Sequence, residues 1–320
     1  MTTRDQALKR IRDRVRAKLG NTDIAVLLSE GHRAAVKEVI PTGIEVIDRY
    51  LLGCGGFPVG RFSEIFGDEG TGKTSLFCAT AAGAQREGGL AILCDTEHAF
   101  SEERAVTFGM DPEGLILLQP DSLEEAIDAM TEALNAIPSD VGPNLLCLDS
   151  LAASPPKAEL EGEAGDIAMG VRARLVNKMY RTLLSVMSKK RCHFMVINQI
   201  RMKIGVVFGS PETTPGGPSI KYAASHRLRL GSGKPIKDGH DTTGKDVPIK
   251  VVKNKVAIPH HEAQIRLRFN EGWDNRWTTI SHAKDVELVP QDLKTTDAGY
   301  KKALEALNWP VPEQLREAAE

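Results

Sequence analysis

The chain has 320 residues, of which 41% are hydrophobic and 26% are charged, and its formal net charge at pH 7 is −2. This composition is typical of a globular protein with one large core and room for small appended modules. It argues against a globally basic nucleic-acid binder, although local basic patches stay open. The longest apolar runs are far shorter than the roughly eighteen residues of a membrane span, and the charged residues 1–20 do not form a signal peptide. We therefore expect a cytoplasmic protein without a membrane partner.

The cysteines indicate the same compartment. There are five, an odd number, and none of them forms a CxxC pair. Three stand in apolar strand-like or helix-like runs, where cysteine behaves as a small hydrophobe. We interpret them as packing residues of a protein in a reducing environment.

Residues 4–18 predict an amphipathic basic helix. They carry seven Lys or Arg against two Asp, with Leu8, Ile11 and Val15 at helical spacing. Such a helix is either a solvated face with a narrow docking stripe or a nucleic-acid contact. The polar residues after Gly20 then form a linker.

The middle of the chain alternates short apolar strands with helical patterns. Strands that are apolar on both faces and separated by helices imply a mainly parallel sheet covered on both sides. After it, the stretches "HRLRL", "PIKVVKNKVA" and "AQIRLRF" alternate apolar and polar residues, which predicts an antiparallel extension. Residues 270–320 hold all three tryptophans and a short helical pattern around 301–307, which indicates a small C-terminal module. The predicted strands are 62–66, 90–94, 115–118, 145–148 and 193–198, and the predicted helices are 73–86, 122–136 and 171–190.

The stretch "GDEGTGKTS" at 67–75 fits the pattern GxxxxGK[ST] and stands between a predicted strand and a predicted helix. In this setting backbone N–H groups and the positive helix end cradle phosphates, and Lys73 reaches the terminal ones. The hydroxyl of Thr74 is a direct ligand for Mg²⁺. We therefore predict a site for a nucleotide and Mg²⁺ made of Gly67, Asp68, Glu69, Gly70, Thr71, Gly72, Lys73, Thr74 and Ser75.

Acidic residues follow two other predicted strands at their carboxyl ends, where open α/β sheets bind ligands. Asp149 can hold Mg²⁺ through water. Glu97 is the preferred general base for the attacking water, and Asp95 is the less favoured one. The alternative for any one of these acids is a helix N-cap.

The predicted strand 193–198 ends in about twenty residues of Gly, Pro, basic and apolar residues. A loop of that length inside a compact domain usually has a function or is disordered. Gln199 begins it, and an amide at this point can bind a γ-phosphate and release it after hydrolysis. We interpret the segment as a switch.

Several stretches of the chain resemble the bacterial RecA recombinase family, both in their order and in their spacing. They are "PTGIEVIDRYLLGCGGFPVGRFSEIFGDEGTGKTS", "CDTEHAF", "LDSLAASPPKAELEGEAGDIAMG", "NQIRMKIGVVFGSPETTPGGPSIKYAASHRL" and "KVVKNKVAIP". The resemblance implies a P-loop NTPase core of the RecA type, an α/β fold with a mainly parallel twisted sheet flanked by helices. It also implies a DNA-dependent ATPase and recombinase that forms helical filaments on single-stranded DNA and exchanges strands with a homologous duplex in recombination and repair. The expected domains are 1–32 for polymerisation, 33–269 for the ATPase core and 270–320 for the C-terminal module.

The resemblance also assigns residues. ATP lies between neighbouring subunits of such a filament, so Lys253 and Lys255 reach across to it. Two loops, 161–170 and 199–217, bind DNA through cations that contact phosphates, glycines that allow close approach and apolar wedges between bases. The helix arginines among them can also be a solvated face. The implied DNA-binding residues are Met169, Gly170, Arg172, Arg174, Arg181, Arg201, Lys203, Ile204, Val207, Gly216 and Gly217.

The chain departs from the family where adenine is held. Ser101 and Arg104 replace the acidic and aromatic residues common there, and the guanidinium of Arg104 can stack on the base. In the second loop, Val207 replaces a larger Met and Pro215 a Thr. Two other functions use the same ATPase core, a helicase or translocase and a regulatory filament protein that does not turn over. Loader proteins and a self-cleaving repressor are partner candidates that the residues leave open.

Overall fold

The computed structural model describes residues 3–20, 25–27, 35–162, 170–202, 205 and 211–317. The chain divides into two compact units, Met1–Lys37 and Glu38–Glu320. The first contains helix α1 (Thr3–Leu19), which confirms the predicted helix. None of its residues is buried, and Leu8 and Ile11 are among the exposed apolar side chains. This exposure is compatible with both interpretations of the helix.

The second unit carries the remaining helices and all the strands of the described residues. Its strands are β1 (Val39–Ile40), β2 (Phe57–Pro58), β3 (Phe62–Gly67), β4 (Ala91–Asp95), β5 (Leu115–Leu118), β6 (Asn144–Asp149), β7 (Cys192–Gln199), β8 (Arg201–Met202), β9 (Glu212–Thr213), β10 (His226–Leu230), β11 (Lys234–Asp238), β12 (Asp241–Asn254), β13 (Glu262–Arg268) and β14 (Gly272–Trp273). Its α-helices are α2 (Lys73–Arg86), α3 (Glu102–Thr107), α4 (Leu123–Ala136), α5 (Lys157–Glu161), α6 (Val171–Met187), α7 (Pro218–Ala223), α8 (Asn275–Asp285), α9 (Asp297–Ala306) and α10 (Glu313–Glu317). No helix in these ranges is long and apolar enough to cross a membrane.

A ten-stranded sheet organises this unit. Its order is β14-β13-β12-β10-β3-β7-β6-β4-β5, and β11 pairs with β12. The strands from β10 to β5 are parallel, whereas β12 joins β10, β11 and β13 in antiparallel pairs. This arrangement confirms the mainly parallel sheet with an antiparallel extension. Each of the five predicted parallel strands is present, with ends within one residue of the prediction.

Helices cover both faces of the parallel strands. On one face, α2 contributes Leu76 and Phe77 to the larger core cluster. On the other, α4 and α6 contribute Ile127, Met179 and Leu183 to a second cluster. Because both faces are covered, every residue of β3, β4 and β6 is buried. This explains why these strands are continuous apolar runs in the sequence.

Helix α6 is shorter than predicted. It ends at Met187 rather than at residue 190. The chain turns immediately afterwards, and Arg191 has a φ of 46°, which a right-handed helix does not allow. The prediction failed here because polar residues of a turn can continue a helical pattern without belonging to the helix.

The long segment after β7 was predicted to be a loop, and its described ends also contain two short strands. Arg201 and Met202 of β8 pair antiparallel with Thr213 and Glu212 of β9. The described ends of the segment are therefore held together as a short ribbon. Residues 203, 204 and 206–210 lie outside the described residues.

The C-terminal residues begin as part of the sheet. Strand β14 pairs with β13, and Trp273 packs against the larger core cluster. The indole N–H of Trp273 donates to the carbonyl of Ser75 at 3.1 Å. Helices α8 and α9 then form a small core of their own with Ile280 and Leu304.

Candidate nucleotide site and predicted DNA-binding residues

The glycine-rich loop leaves β3 at Gly67 and enters α2 at Lys73. A Cβ atom at Gly67 would lie 2.3 Å from the carbonyl oxygen of Leu230, so the neighbouring strand leaves no room for a side chain. Gly72, the N-cap of α2, has a φ of 92°, in the left-handed region that favours glycine. The two glycines therefore let the loop turn tightly and present the N-terminus of α2 to a ligand.

Lys73 and Thr74 are held at the start of α2. Lys73 is buried, and its Nζ donates to the carbonyls of Asp68 at 2.7 Å and Gly67 at 3.2 Å. Burial lowers the pKa of Lys73, and the nearby carboxylates of Asp149 and Glu97 oppose this effect. The ammonium group thus lies within the loop that would surround phosphates. The hydroxyl of Thr74 donates to Oδ2 of Asp149 at 2.7 Å.

Asp149 lies where β6 ends, paired in register with Asp95 of β4. Burial raises the pKa of Asp149 to about 6, against the effect of the Thr74 hydrogen bond. The described residues contain no cluster of three His, Cys, Asp or Glu side chains that could bind a metal unaided. A hydroxyl beside one carboxylate suits Mg²⁺, which keeps several waters and takes substrate phosphate oxygens as further ligands.

Glu97 and Asp95 have different surroundings. Oδ1 and Oδ2 of Asp95 accept the backbone N–H groups of Glu97 at 3.2 Å and Phe100 at 3.1 Å, so this carboxylate holds the turn after β4. Oε1 of Glu97 instead accepts from the hydroxyl of Ser150 at 2.5 Å and from the amide of Gln199 at 3.2 Å. These contacts favour Glu97 over Asp95 as the general base.

These side chains meet in a cavity of about 320 Å³, within the usual size range of small-molecule sites. Predicted site residues from five separate parts of the chain line it. They are Glu69, Gly70, Thr71, Gly72, Lys73, Thr74, Ser75, Glu97, Arg104, Asp149 and Gln199. Gly67 and Asp68 stand at the base of the loop, where their carbonyls accept from Lys73.

Sequence reasoning missed the far wall of this cavity. Lys245 of β12, Leu267 of β13 and Phe269 line it together with Phe108. Lys245 and Leu267 belong to strands of the antiparallel extension, Phe269 directly follows it, and no local motif distinguishes the three. Only the order of strands in the sheet, which brings β12 and β13 beside β10 and β3, reveals that they face the nucleotide loop.

Lys253 and Lys255 lie outside this cavity. The ammonium groups of both donate to the carbonyl of Tyr222, at 3.0 Å and 2.8 Å, and Lys253 also donates to the carbonyl of Lys221. Burial, assisted by the neighbouring Lys255, lowers the pKa of Lys253 to about 8. The two lysines therefore form a compact cationic pair at the end of β12, outside the cavity beside the loop 67–75.

Most of the predicted DNA-binding residues that are described are exposed or half-buried, but Gly216 is buried. Arg174, Arg181 and Arg201 are exposed, and α6 buries its opposite face. Arg172 has partners within the chain, Glu159 at 3.1 Å and the carbonyl of Ala152 at 3.3 Å. Gly170, Gly216 and Gly217 all have positive φ. The remaining predicted residues, Met169, Lys203, Ile204 and Val207, lie outside the described residues.

A glycine-rich loop between a parallel strand and a helix, with carboxylates and an amide at neighbouring strand ends, defines a P-loop nucleotide-binding protein. The family whose model matches this chain is the RecA N-terminal domain, over residues 5–274. The chain therefore belongs to the RecA family. It is a recombinase of this family of ATPases.

Individual relatives agree with this assignment. The chain is 41% identical to Protein RecA of Francisella philomiragia over 287 residues, which cover 90% of this chain and 78% of the relative. It is 40% identical to Protein RecA of Thermotoga petrophila, covering 89% and 77% of the two chains, and 43% identical to that of Bacteroides thetaiotaomicron, covering 78% and 72%. Among solved structures, the crystal structure of the RadB recombinase superposes with a TM-score of 0.54 at 24% identity, covering 73% of this chain and 98% of the other. This last likeness supports the fold.

Proposed function

We propose that the chain hydrolyses ATP in the cavity beside the loop 67–75, and that single-stranded DNA stimulates this reaction. The observation that carries the proposal is the contact of Gln199 with Glu97 at 3.2 Å. Gln199 is also the last residue of β7 and directly precedes the segment that carries Arg201. One residue thus connects the preferred general base to the proposed DNA loop.

In the proposed reaction, Glu97 accepts a proton from the attacking water and Lys73 contacts the terminal phosphates. Thr74 would hold Mg²⁺ directly, and Asp149 would hold it through water. The metal ion, when bound, supplies positive charge that neutralises the phosphate oxygens. Gln199 exchanges its bond to Glu97 for a γ-phosphate oxygen, which shifts the beginning of the DNA loop. Arg104 contacts the base.

The proposal includes a helical filament with ATP between subunits. Lys253 and Lys255 would complete the neighbouring subunit's site, where their charge stabilises the transition state only after assembly. Residues 1–32 would serve polymerisation, 33–269 form the ATPase core and 270–320 form the small C-terminal module. Such a site explains why DNA, by promoting assembly, would stimulate hydrolysis.

DNA is the proposed partner of the two loops, first as a single strand and then as a homologous duplex. The exposed Arg174, Arg181 and Arg201 suit phosphates, which carry no sequence information. Apolar residues of the loops, Met169, Ile204 and Val207, would separate base steps so that base pairing identifies the homologous partner. Loader proteins and a self-cleaving repressor are possible further partners of such a filament. The five cysteines are all free thiols, which supports a reducing cytoplasm as the site of action.

The experiment compares two assays on the same protein. We expect joint molecules between single-stranded DNA and a homologous duplex in the presence of ATP and Mg²⁺, and helical filaments in electron micrographs. Lys73→Ala should abolish strand exchange. Directional fork unwinding without joint molecules, or rings in place of filaments, would contradict the proposal. Filaments that form on DNA but release no phosphate would contradict its catalytic part.

A further inference from the structure

The nucleotide cavity has two chemically different ends. The phosphate end is formed by the loop 67–75 and the strand ends with Glu97, Asp149 and Gln199. The other end lies beside the second turn of α2, at Cys78, and is closed by α3 and by the far wall from β12 and β13. A triphosphate on the loop would direct its base to this second end.

An aromatic ring is available there for stacking. The side chain of Phe269 is 44% exposed although it lines the cavity, and it follows directly after β13. Nζ of Lys245 lies 5.9 Å from the centre of this ring. The guanidinium of Arg104, also exposed, offers a second flat surface. Stacking on such groups accepts any purine.

The polar side chains at this end are mainly hydrogen-bond donors. Lys245 and Arg104 carry donors and no acceptor. They lie near each other, since Arg104 adds to the effect of burial in lowering the pKa of Lys245. The Ser101 hydroxyl already accepts the backbone N–H of Arg104 at 3.3 Å as the cap of α3.

Carboxylates are concentrated at the opposite end. Those that line the cavity are Glu69 of the loop, Glu97 and Asp149. Glu102 and Glu103, in the first turn of α3, are not among its lining residues. Among the described residues that line the base end, Lys245 and Arg104 are cations, and none is a carboxylate.

We propose that this site takes guanosine triphosphate as well as ATP, and that it binds the guanine nucleotide at least as tightly. The inference rests on the proposed function of the same site. The N7 and O6 atoms of guanine form an edge of two acceptors, which a Lys or Arg side chain bonds well. Adenine presents N7 beside the N6 amino group. Because this amino group is a donor, it cannot accept a hydrogen bond from a cationic side chain. Lys245, bonded to the carbonyl of Gly70, stands where the loop meets the base end and is the residue that distinguishes the two bases.

The first experiment measures binding to the full chain with Mg²⁺. ATP, GTP and CTP compete separately with a fluorescent N-methylanthraniloyl ATP, and each yields a dissociation constant. We expect the constant for GTP to be equal to or smaller than that for ATP, and CTP to bind more weakly because it stacks less area. A dissociation constant for GTP that is larger than that for ATP would overturn the inference while leaving the proposed function intact. If neither purine nucleotide binds, the proposed function itself fails.

The second experiment assigns the preference to Lys245. Lys245→Gln removes the charge and adds an acceptor that can bond the N6 amino group of adenine. We expect the ratio of the GTP dissociation constant to the ATP dissociation constant to rise by about tenfold, because the favourable contact at position 245 is then made to adenine and no longer to guanine. This ratio does not respond to partial unfolding or to a general disturbance of the loop, since both would affect the two nucleotides equally.

The matched control is Lys250→Gln. Lys250 belongs to the same strand but pairs with Glu262 at 3.0 Å and does not line the nucleotide cavity. In Lys250→Gln the ratio of the GTP dissociation constant to the ATP dissociation constant should equal that of the unmodified chain. An unchanged ratio in Lys245→Gln, or an equal change in both variants, would overturn the assignment.

Discussion

At the scale of single residues, Glu97 is held by donors from two different strand ends. Ser150, directly after β6, and Gln199, at the end of β7, both donate to its Oε1. A carboxylate with two fixed donors keeps one orientation, as a general base must while a water molecule is positioned. Asp95 also accepts two hydrogen bonds, but they come from backbone N–H groups of its own turn, and Asp95 does not line the nucleotide cavity.

Replacing Glu97 with Gln tests this role. The amide keeps the size of the side chain but cannot accept a proton from water. We expect DNA-stimulated phosphate release to fall by roughly 10²- to 10⁴-fold, the usual contribution of a general base, with nucleotide binding retained. Phosphate release and nucleotide competition on the same sample provide the measurement. Glu103→Gln, an exposed position outside the cavity, is the matched control and should keep the normal rate. A normal rate in Glu97→Gln would assign the base elsewhere.

At the scale of elements, a buried network connects the end of β7 to the returning arm of the DNA segment. The side-chain amide of Asn198 donates to Glu64 at 3.0 Å and to the carbonyl of Pro215 at 3.1 Å. Its oxygen accepts the backbone N–H of Gln199 at 3.2 Å. Glu64, itself fully buried, is neutralised by Arg227 at 2.6 Å. Asn198 therefore links Gln199, where the segment begins, to Pro215 on its returning arm.

The contribution of this segment to DNA binding can be measured at Arg201. In Arg201→Ala we expect weaker binding of single-stranded DNA and a smaller dependence of affinity on salt, because one phosphate contact is lost. Fluorescence anisotropy of a labelled oligonucleotide at several salt concentrations gives both quantities. ATP binding should be unchanged. Lys237→Ala, an exposed cation of β11, serves as the control. An equal loss of nucleotide binding would show that Arg201 acts through the ATP site instead.

Much of the fold could be predicted because the parallel strands are buried on both faces and therefore appear as separate apolar runs. The loop 67–75 and the acids at the strand ends followed from the same pattern. Lys245 and Phe269 could not be found in this way, since their position depends on how β12 and β13 return beside β10. The pairing of β8 with β9 was equally hidden, because two residues on each side carry no periodic pattern.

At the scale of the whole molecule, two buried histidines join the small ribbon of β1 and β2 to the main sheet. His193 and His226 are fully buried on β7 and β10, with ring centres 5.0 Å and 6.4 Å from that of Phe57. Nδ1 of His193 donates to the carbonyl of Pro58 at 2.7 Å. Burial lowers the pKa of His193 to about 4 and that of His226 to about 3. Both rings therefore favour the neutral form in the folded protein.

This burial makes stability depend on pH. A histidine with a depressed pKa stabilises the fold above its unfolded pKa of about 6.5, and this contribution is lost as the pH falls towards the folded value. Burial raises the pKa of Asp48 to about 7 and that of Asp149 to about 6, and these acids act in the opposite direction. Comparing the unmodified chain with His193→Gln isolates the contribution of this histidine to the pH dependence of stability, because both proteins contain the same acids.

We expect the difference in unfolding free energy between the unmodified chain and His193→Gln to decrease by about 2 kcal/mol from pH 7.5 to pH 5. Urea denaturation at a series of pH values measures it. His240→Gln provides the control, because His240 is an exposed histidine in a turn. A difference that does not change with pH would mean that His193 is not buried in the neutral form.

The last test concerns the site as a property of two subunits. If Lys255 acts on the nucleotide of a neighbouring subunit, Lys255→Ala and Glu97→Gln damage different halves of one site. Each variant alone should hydrolyse ATP poorly on DNA. In an equal mixture that assembles at random, one interface in four joins an intact Glu97 to an intact Lys255, so about a quarter of the normal rate should return, as expected for a head-to-tail interface.

The control mixture contains Lys73→Ala and Glu97→Gln, which damage the same half of the site. In that mixture every interface lacks one of the two residues on the subunit that binds ATP, so no activity should return. Recovery in the control mixture would mean that activity can return without a complete site between two subunits. No recovery in the first mixture would place Lys255 in the site of its own chain. Because Lys255 donates to the carbonyl of Tyr222, outside the nucleotide cavity of the same subunit, recovery is the outcome we expect.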